Sequence, residues 1–498
     1  MFATQTEAAK PPEKTPDEGR EKRFFTVVLA TMVLGLWVLP IGSSFWLDET
    51  GTFWVIKDGV ANLVTRSFEW AGQSPLYYLT AWIALALGGK HEWVMRAPSL
   101  IALIAGAWMF HRLALRLFDP VIARLALLFF VCSEPVAFAA ADARPYALGL
   151  CMLIGSAWML VRWLDTGSGW PGACYVLFAV LAVYTHYIFA PVLGVLAIYA
   201  LVRARNGGAV GIRHLVAAWT AAVILGVPLL SQLLRFYQSR ASHSFAQTPG
   251  FPELFTALAP PLLTGSIAAG LFLAWLAAPP PRVESGARKN SVVLAIAWTL
   301  TPPMLFFLLA IFTPAKLFVP RYYISYVPGL CLAAGWIAGS LASAPGRRIV
   351  IVVAAFSAVL GFGSPRHDVQ DWSGAMAKIH ELAAGGDMPV LIASSFVEAS
   401  DPKALDDPKL RDVLFAPQQM YPPGGRLIRL PYRLDAPSQR YLEQIIPTVE
   451  NERRFVLVCR YEGMLFQPWI SGRLSPRGFR PEVLGNFGSI GVFLFRRD

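Results

Sequence analysis

Charge is what this chain has little of. Of its 498 residues, 15% are Asp, Glu, Lys or Arg and 55% are hydrophobic, where soluble domains carry roughly 25% charged residues. The deficit excludes an ordinary soluble globular protein. It is concentrated in apolar runs of about twenty residues, the length a helix needs to cross a bilayer. Cysteine is scarce too. Of the five, Cys132, Cys151, Cys174 and Cys331 lie in apolar segments and Cys459 stands alone near the end. None has CxxC or metal-ligand spacing, which excludes a disulfide framework and leaves them as small core residues. Also missing are an internal repeat, an A-x-A cleavage signal after the first apolar run, an Asp-x-Asp motif and a metal-spaced His cluster. The net charge of +11 then reports basic cytoplasmic loops rather than a nucleic-acid partner.

What is present reads as an α-helical polytopic membrane protein of about eleven transmembrane helices, followed by a C-terminal extracytoplasmic α/β domain. Residues 1–23, rich in Pro, Glu, Lys and Thr, form an expected disordered cytoplasmic arm. The spans expected in residues 24–363 are Phe24–Phe45, Ala97–Phe118, Val121–Ala140, Pro145–Leu164, Trp170–Thr185, Tyr187–Val202, Leu215–Leu233, Leu254–Ala278, Ser291–Phe312, Tyr323–Leu341 and Ile349–Phe362. With the amino terminus inside, Arg116, Arg124, Arg162, the cluster Arg203, Arg205 and Arg213, the cluster Arg282, Arg288 and Lys289, and the pair Arg347 and Arg348 all fall on the cytoplasmic side, as basic loops should. Pro75–Leu87 is apolar but short. Its Tyr77, Tyr78 and Trp82 suit an interfacial helix, so residues 42–96 read as one long external loop. From residue 364 to 498 the composition turns polar. Pro389–Ala393, Phe455–Cys459 and Ile490–Phe495 read as strands, and Trp372–Leu382 as a helix capped by Asp371.

In this topology the costly polar groups collect on the outer face. Asp48 and Glu49 end the first span. Asp142 and Arg144 lie between the third and fourth, His186 between the fifth and sixth, and Lys316 and Arg321 between the ninth and tenth. Carboxylates at a bilayer edge are expensive and mark function, and cations beside them suit a phosphate. Glu134 is a further candidate, although a structural role weighs more there.

The order of short motifs resembles the bacterial branch of the GT-C membrane glycosyltransferases, a group related to protein O-mannosyltransferases and to the transferase that places aminoarabinose on lipid A. The motifs are Trp46-Leu47-Asp48-Glu49, Gln73-Ser74-Pro75-Leu76-Tyr77-Tyr78-Leu79, Arg96-Ala97-Pro98-Ser99-Leu100, Asp142-Ala143-Arg144-Pro145-Tyr146-Ala147-Leu148, Tyr184-Thr185-His186-Tyr187 and Arg321-Tyr322. The resemblance spans roughly Phe24 to Leu341. It implies a sugar donor carried on a polyprenyl phosphate and an acceptor in the cell envelope (lipopolysaccharide, another glycan, a lipid or a protein). It also implies chemistry on the outer face of a bacterial inner membrane. Asp48 maps onto the essential carboxylate and is the expected general base, Glu49 its partner and Asp142 the second acid. Where many relatives have Glu-Ala-Arg this chain has Asp142-Ala143-Arg144. Where many have His or Lys before Pro-Leu-Tyr it has Gln73-Ser74. Phosphate binding is therefore expected from Arg144, Arg321, Lys316 or Arg66, with His186, Tyr146 and Tyr322 as weaker substrate contacts. A divalent metal is left open. The competing reading is a transporter or flippase of a lipid-linked or anionic solute. Against it stand the missing repeat and acids at span ends rather than the midplane.

Overall fold

A computed structural model describes residues 16–69, 75–238, 248–277, 289–314, 316–363, 366–383 and 386–497. The first fifteen residues of the expected arm, Gln73 and Ser74, Arg240, and Arg282 with Arg288 lie outside the described residues. Among the described residues, eight helices are long and apolar enough to cross a membrane, and ten if two bent pairs each count as one span. The remaining expected span, Trp170–Thr185, falls in the apolar helix Gly169–Thr185, of 17 residues.

The departures from straight spans have local causes. The first span, Gly19–Gly42, passes from α-helix through a π turn at Val33–Val38 into a 3-10 turn at Leu39–Gly42. Pro40, which has no amide hydrogen to continue the ladder, sits in that last turn. Asp48 and Glu49 therefore do not end the first span. They open the next helix, Leu47–Ile56, where the helix dipole favours acids and Glu49 Oε2 accepts from the Trp46 amide at 3.2 Å. The expected spans at 121–140 and 254–278 are each bent pairs. Pro120–Cys132 meets Glu134–Ala140 at 63°, and Phe251–Leu258 meets Pro261–Ala277 at 52°, with Pro135 and Pro261 in the first turns of the second helices.

The two ends of the bundle differ in polar content. At one end Asp165 pairs with Arg116 at 3.1 Å and with Arg203 at 2.9 Å, and Glu21 pairs with Arg124 at 3.6 Å. Asp48, Asp142, Arg144 and Arg321 gather at the other.

Residues 42–96 form three helices, Leu47–Ile56, Val60–Glu69 and Pro75–Gly88, before the span Glu92–Leu117. Tyr77 and Tyr78 do not make an interfacial belt. Both are buried, and Tyr77 Oη lies 3.0 Å from Ser99 Oγ.

The C-terminal region carries a five-stranded sheet in the order β2-β1-β3-β5-β4: β1 Pro389–Ala393, β2 Arg426–Leu430, β3 Arg454–Cys459, β4 Arg480–Val483 and β5 Gly491–Arg496. β1 runs parallel to β2 and β3, while β5 is antiparallel to β3 and β4. Side chains alternate between the two faces. Leu391, Phe455 and Leu457 pack with Phe466, Ile470 and Leu474, which recur every fourth residue on the helix Phe466–Leu474. Val390, Ile392, Val456 and Val458 pack on the other face with the helix Trp372–Ala383. Phe45, Phe53, Trp54, Ile56, Tyr77 and Tyr78 join that same core. The sheet and the first-loop helices thus share one hydrophobic core.

Candidate active site

Three segments converge where Leu47–Ile56 begins. Asp48, second in that helix, keeps a side chain 21% exposed. Its Oδ2 lies 3.7 Å from Arg144 Nη2 and 3.7 Å from Arg321 Nη1, and its main-chain oxygen accepts from Arg144 Nη1 at 3.3 Å. Arg144 comes from the turn that ends at Pro145, ahead of the helix Tyr146–Thr166. Arg321 comes from the turn before the helix Val327–Leu341. Tyr322 and Tyr146 flank the pair. The His186 ring lies 6.0 Å from Tyr146 and 6.3 Å from Tyr322, centroid to centroid. Arg144 is buried, and its Nε has no hydrogen-bond partner among the described residues. Two guanidinium groups beside one carboxylate leave positive charge over, which is what a phosphate-bearing ligand requires.

Arg321 also lines a cavity of about 500 Å³ with Trp46 and Tyr146. Most of the wall is apolar: Phe129, Phe138, Leu262, Leu263, Ile324 and Ala358. Both bent helix pairs contribute to it, through Cys132 to Pro135 and through Pro260 with Pro261. Both bends thus lie on the wall of the groove. Glu134, at the first bend, is its acidic lining residue.

Glu49 is held differently from Asp48. It is fully buried, and its carboxylate accepts from Arg96 Nε at 2.7 Å, Arg96 Nη2 at 2.5 Å and the Ala143 amide at 2.7 Å. Arg96, equally buried, donates onward to the carbonyls of Ile41 at 3.0 Å, Ser43 at 2.6 Å and Ser44 at 3.1 Å. The pair ties the end of the first span, the first-loop helix and the Asp142 turn into one knot.

Asp142 is also fully buried. Its Oδ1 accepts from Trp46 Nε1 at 3.0 Å and lies 3.5 Å from His367 Nε2. Burial pushes this carboxyl above its ordinary value; His367 and Trp46 pull the other way, and the Glu49 charge adds to the rise. Glu49, Asp142 and His367 each offer a ligand atom within 4.8 Å of the others, the one such cluster among the described residues. Glu49 does not suit a metal there. Its oxygens already hold Arg96 and two backbone amides, and a cation would have to displace a guanidinium.

Two expected phosphate ligands are not part of this gathering. Lys316 Nζ donates to the Ala310 carbonyl at 2.9 Å near the end of the helix Lys289–Phe312. Arg66 pairs with Asp58 at 2.6 Å, donates to the Trp54 carbonyl at 2.6 Å and stacks on the Trp54 ring. Arg66 is thus paired within its own loop, and Lys316 is turned back on the end of the preceding helix.

Sequence reasoning gave no role to Arg96, Trp46 or His367. Trp46 and Arg96 stood only as members of the motifs, and His367 fell in the following soluble domain. The available signal was the need for a partner: an acid beside Asp48 in an apolar setting demands a cation, and Arg96 heads the next span.

A bundle of membrane-spanning helices with acids and arginines over an apolar groove, capped by an α/β region, is the GT-C architecture. Residues 72–231 match the family described as dolichyl-phosphate-mannose-protein mannosyltransferase. ArnT from Cupriavidus metallidurans, solved bound to undecaprenyl phosphate, is similar at a TM-score of 0.56 and 14% identity, over 96% of this chain and 98% of that one. The oligosaccharyltransferase of Archaeoglobus fulgidus aligns at a TM-score of 0.49 and 10% identity, over 95% of this chain and 74% of that one. No curated protein matches the sequence. The chain has the fold of the GT-C membrane glycosyltransferases related to ArnT and to the protein mannosyltransferases.

Proposed function

We propose that this protein transfers a sugar from a polyprenyl phosphate to a cell-envelope acceptor at the extracytoplasmic face of the bacterial inner membrane, with Asp48 as general base. The observation that carries the reading is the position of Asp48 between Arg144 and Arg321, with Arg321 shared with the apolar groove. The groove suits a prenyl tail and the arginines suit the phosphate at its head, and ArnT was solved with such a lipid. Asp48 is the acid of the group that keeps solvent access.

The acceptor hydroxyl gives its proton to Asp48 as its oxygen bonds to the anomeric carbon. The bond from that carbon to the phosphate oxygen breaks. The departing polyprenyl phosphate keeps the electron pair, its charge held by Arg144 and Arg321. A single displacement of this kind inverts the anomeric centre.

The test compares surface glycans by mass spectrometry in cells with the gene, without it, and with Asp48→Asn. The expected result is that the modified glycan disappears without the gene and is not restored by a folded, inserted Asp48→Asn protein. Full restoration by Asp48→Asn refutes the base. A solute gradient that builds up with no glycosidic product would favour the transporter.

A further inference from the structure

Asp142 is a carboxyl with no exposure whose second oxygen, Oδ2, has no hydrogen-bond partner among the described residues. Such a group is costly to keep buried. Its neighbours show what it does there. Oδ1 holds the indole N–H of Trp46, Ser99 Oγ fixes its main-chain oxygen at 2.6 Å, and Asp142 itself is not among the residues that line the cavity. Trp46 itself lines the cavity, and the Arg321 guanidinium lies 5.9 Å from its ring. Behind it stands His367, buried, its ring 4.1 Å from Phe138 and 6.5 Å from Trp46. Phe138 is a second cavity wall. The His367 amide is anchored on Ser43 Oγ at 3.1 Å.

We propose that Asp142 and His367 are positioning residues rather than catalytic ones: together they set the Trp46 indole, and with it the head of the lipid-phosphate groove, from behind. The segment entering the C-terminal domain thereby supplies part of the donor site. This rests on the reading of the groove as a polyprenyl-phosphate site.

The experiment measures undecaprenyl phosphate binding to the purified full chain in detergent, by native mass spectrometry, beside thermal unfolding and glycan formation in cells. Trp46→Phe and Asp142→Leu each lose the indole bond and should weaken lipid binding about tenfold. His367→Ala, which removes the ring behind both walls, should weaken it by a similar factor. Asp142→Asn keeps an oxygen for the indole and should retain most of the binding and most of the glycan. Asp48→Asn should bind lipid as the wild type does and make no glycan. If Asp142→Asn binds lipid normally yet makes no glycan, Asp142 takes part in the chemistry and the proposal is overturned, with the transferase reading intact. Wild-type lipid affinity in folded Asp142→Leu, Trp46→Phe or His367→Ala also overturns it. If the wild-type chain does not bind undecaprenyl phosphate, the donor reading itself fails and this proposal with it.

Discussion

Replacing Arg96 is the most demanding test of how the site is held. Arg96 and Glu49 both have side chains with no solvent exposure. Removing one partner of a buried pair costs about 3–5 kcal/mol, because the other charge stays buried and uncompensated. Glu49 would keep only the Trp46 and Ala143 amides. Arg96→Ala also strands the carbonyls of Ile41, Ser43 and Ser44, each of which costs about 1–3 kcal/mol if nothing replaces the donor. The double variant Glu49→Leu with Arg96→Met separates these two costs. An isolated buried pair can be exchanged for apolar residues at little loss or with gain. Here the carbonyl row still lacks its donor and the Trp46 and Ala143 amides lose their acceptor, so the double variant should unfold above Arg96→Ala yet below the wild type. Thermal unfolding of the full chain in detergent, followed by tryptophan fluorescence, reads the order. A double variant as stable as the wild type would show that Arg96 serves Glu49 alone and that the knot is only an ion pair.

Two further outcomes follow from where the other charges sit. Arg321→Ala should weaken undecaprenyl phosphate binding at least tenfold, as loss of a charge-assisted contact does, whereas Lys316→Ala and Arg66→Ala should change it less than twofold; equal losses in all three would show that the phosphate is gripped by diffuse charge. Glu398 is held above its ordinary value of 4.5 by burial first and by the Asp48 charge as well. A raised acid binds more protons folded than unfolded, so the wild type loses stability as pH rises from 4.5 through the folded value; Glu398→Gln removes that loss, and its advantage in unfolding temperature should grow across the same interval and be absent below it.

Much of the membrane domain was legible because long apolar runs have few alternatives. The bends were not, since Ser133–Glu134–Pro135 and Pro260–Pro261 interrupt a run whose average hydropathy still suits a single span. β1 and β3 carry runs of buried apolar residues and β5 an apolar run that is partly buried, and all three announce themselves. β2 (Arg-Leu-Ile-Arg-Leu) lies at one edge of the sheet, and β4 (Arg-Pro-Glu-Val) is exposed along its whole length at the other; neither has the pattern of a core strand. In the site, Asp48, Arg144 and Arg321 could each be named as candidates from residue type and face alone. Which cations reach Asp48 could not, because Arg66 and Lys316 are equally charged and on the same face, and only folding shows that neighbouring carbonyls and Asp58 have satisfied them. Pairing over 47 residues between Glu49 and Arg96, and of Asp142 with His367 further still, is likewise invisible to any local pattern.

The shared core of sheet and first-loop helices has a consequence for biosynthesis. The Phe45 amide bonds to Tyr421 Oη across 376 residues, and the Leu47 amide to Gln370 Oε1 across 323. The helix that carries Asp48 emerges from the ribosome early and can pack on Leu63, Tyr77 and Tyr78 of its own loop, but the core they share is completed only when the last quarter of the chain has been made and has reached the same side. Domains usually fold as they are synthesised, amino-terminal parts first. Here the first loop must wait for the final strands before its share of that core is closed. A ribosome stalled before β1 would leave an inserted bundle with an unfinished loop, a natural substrate for membrane quality control.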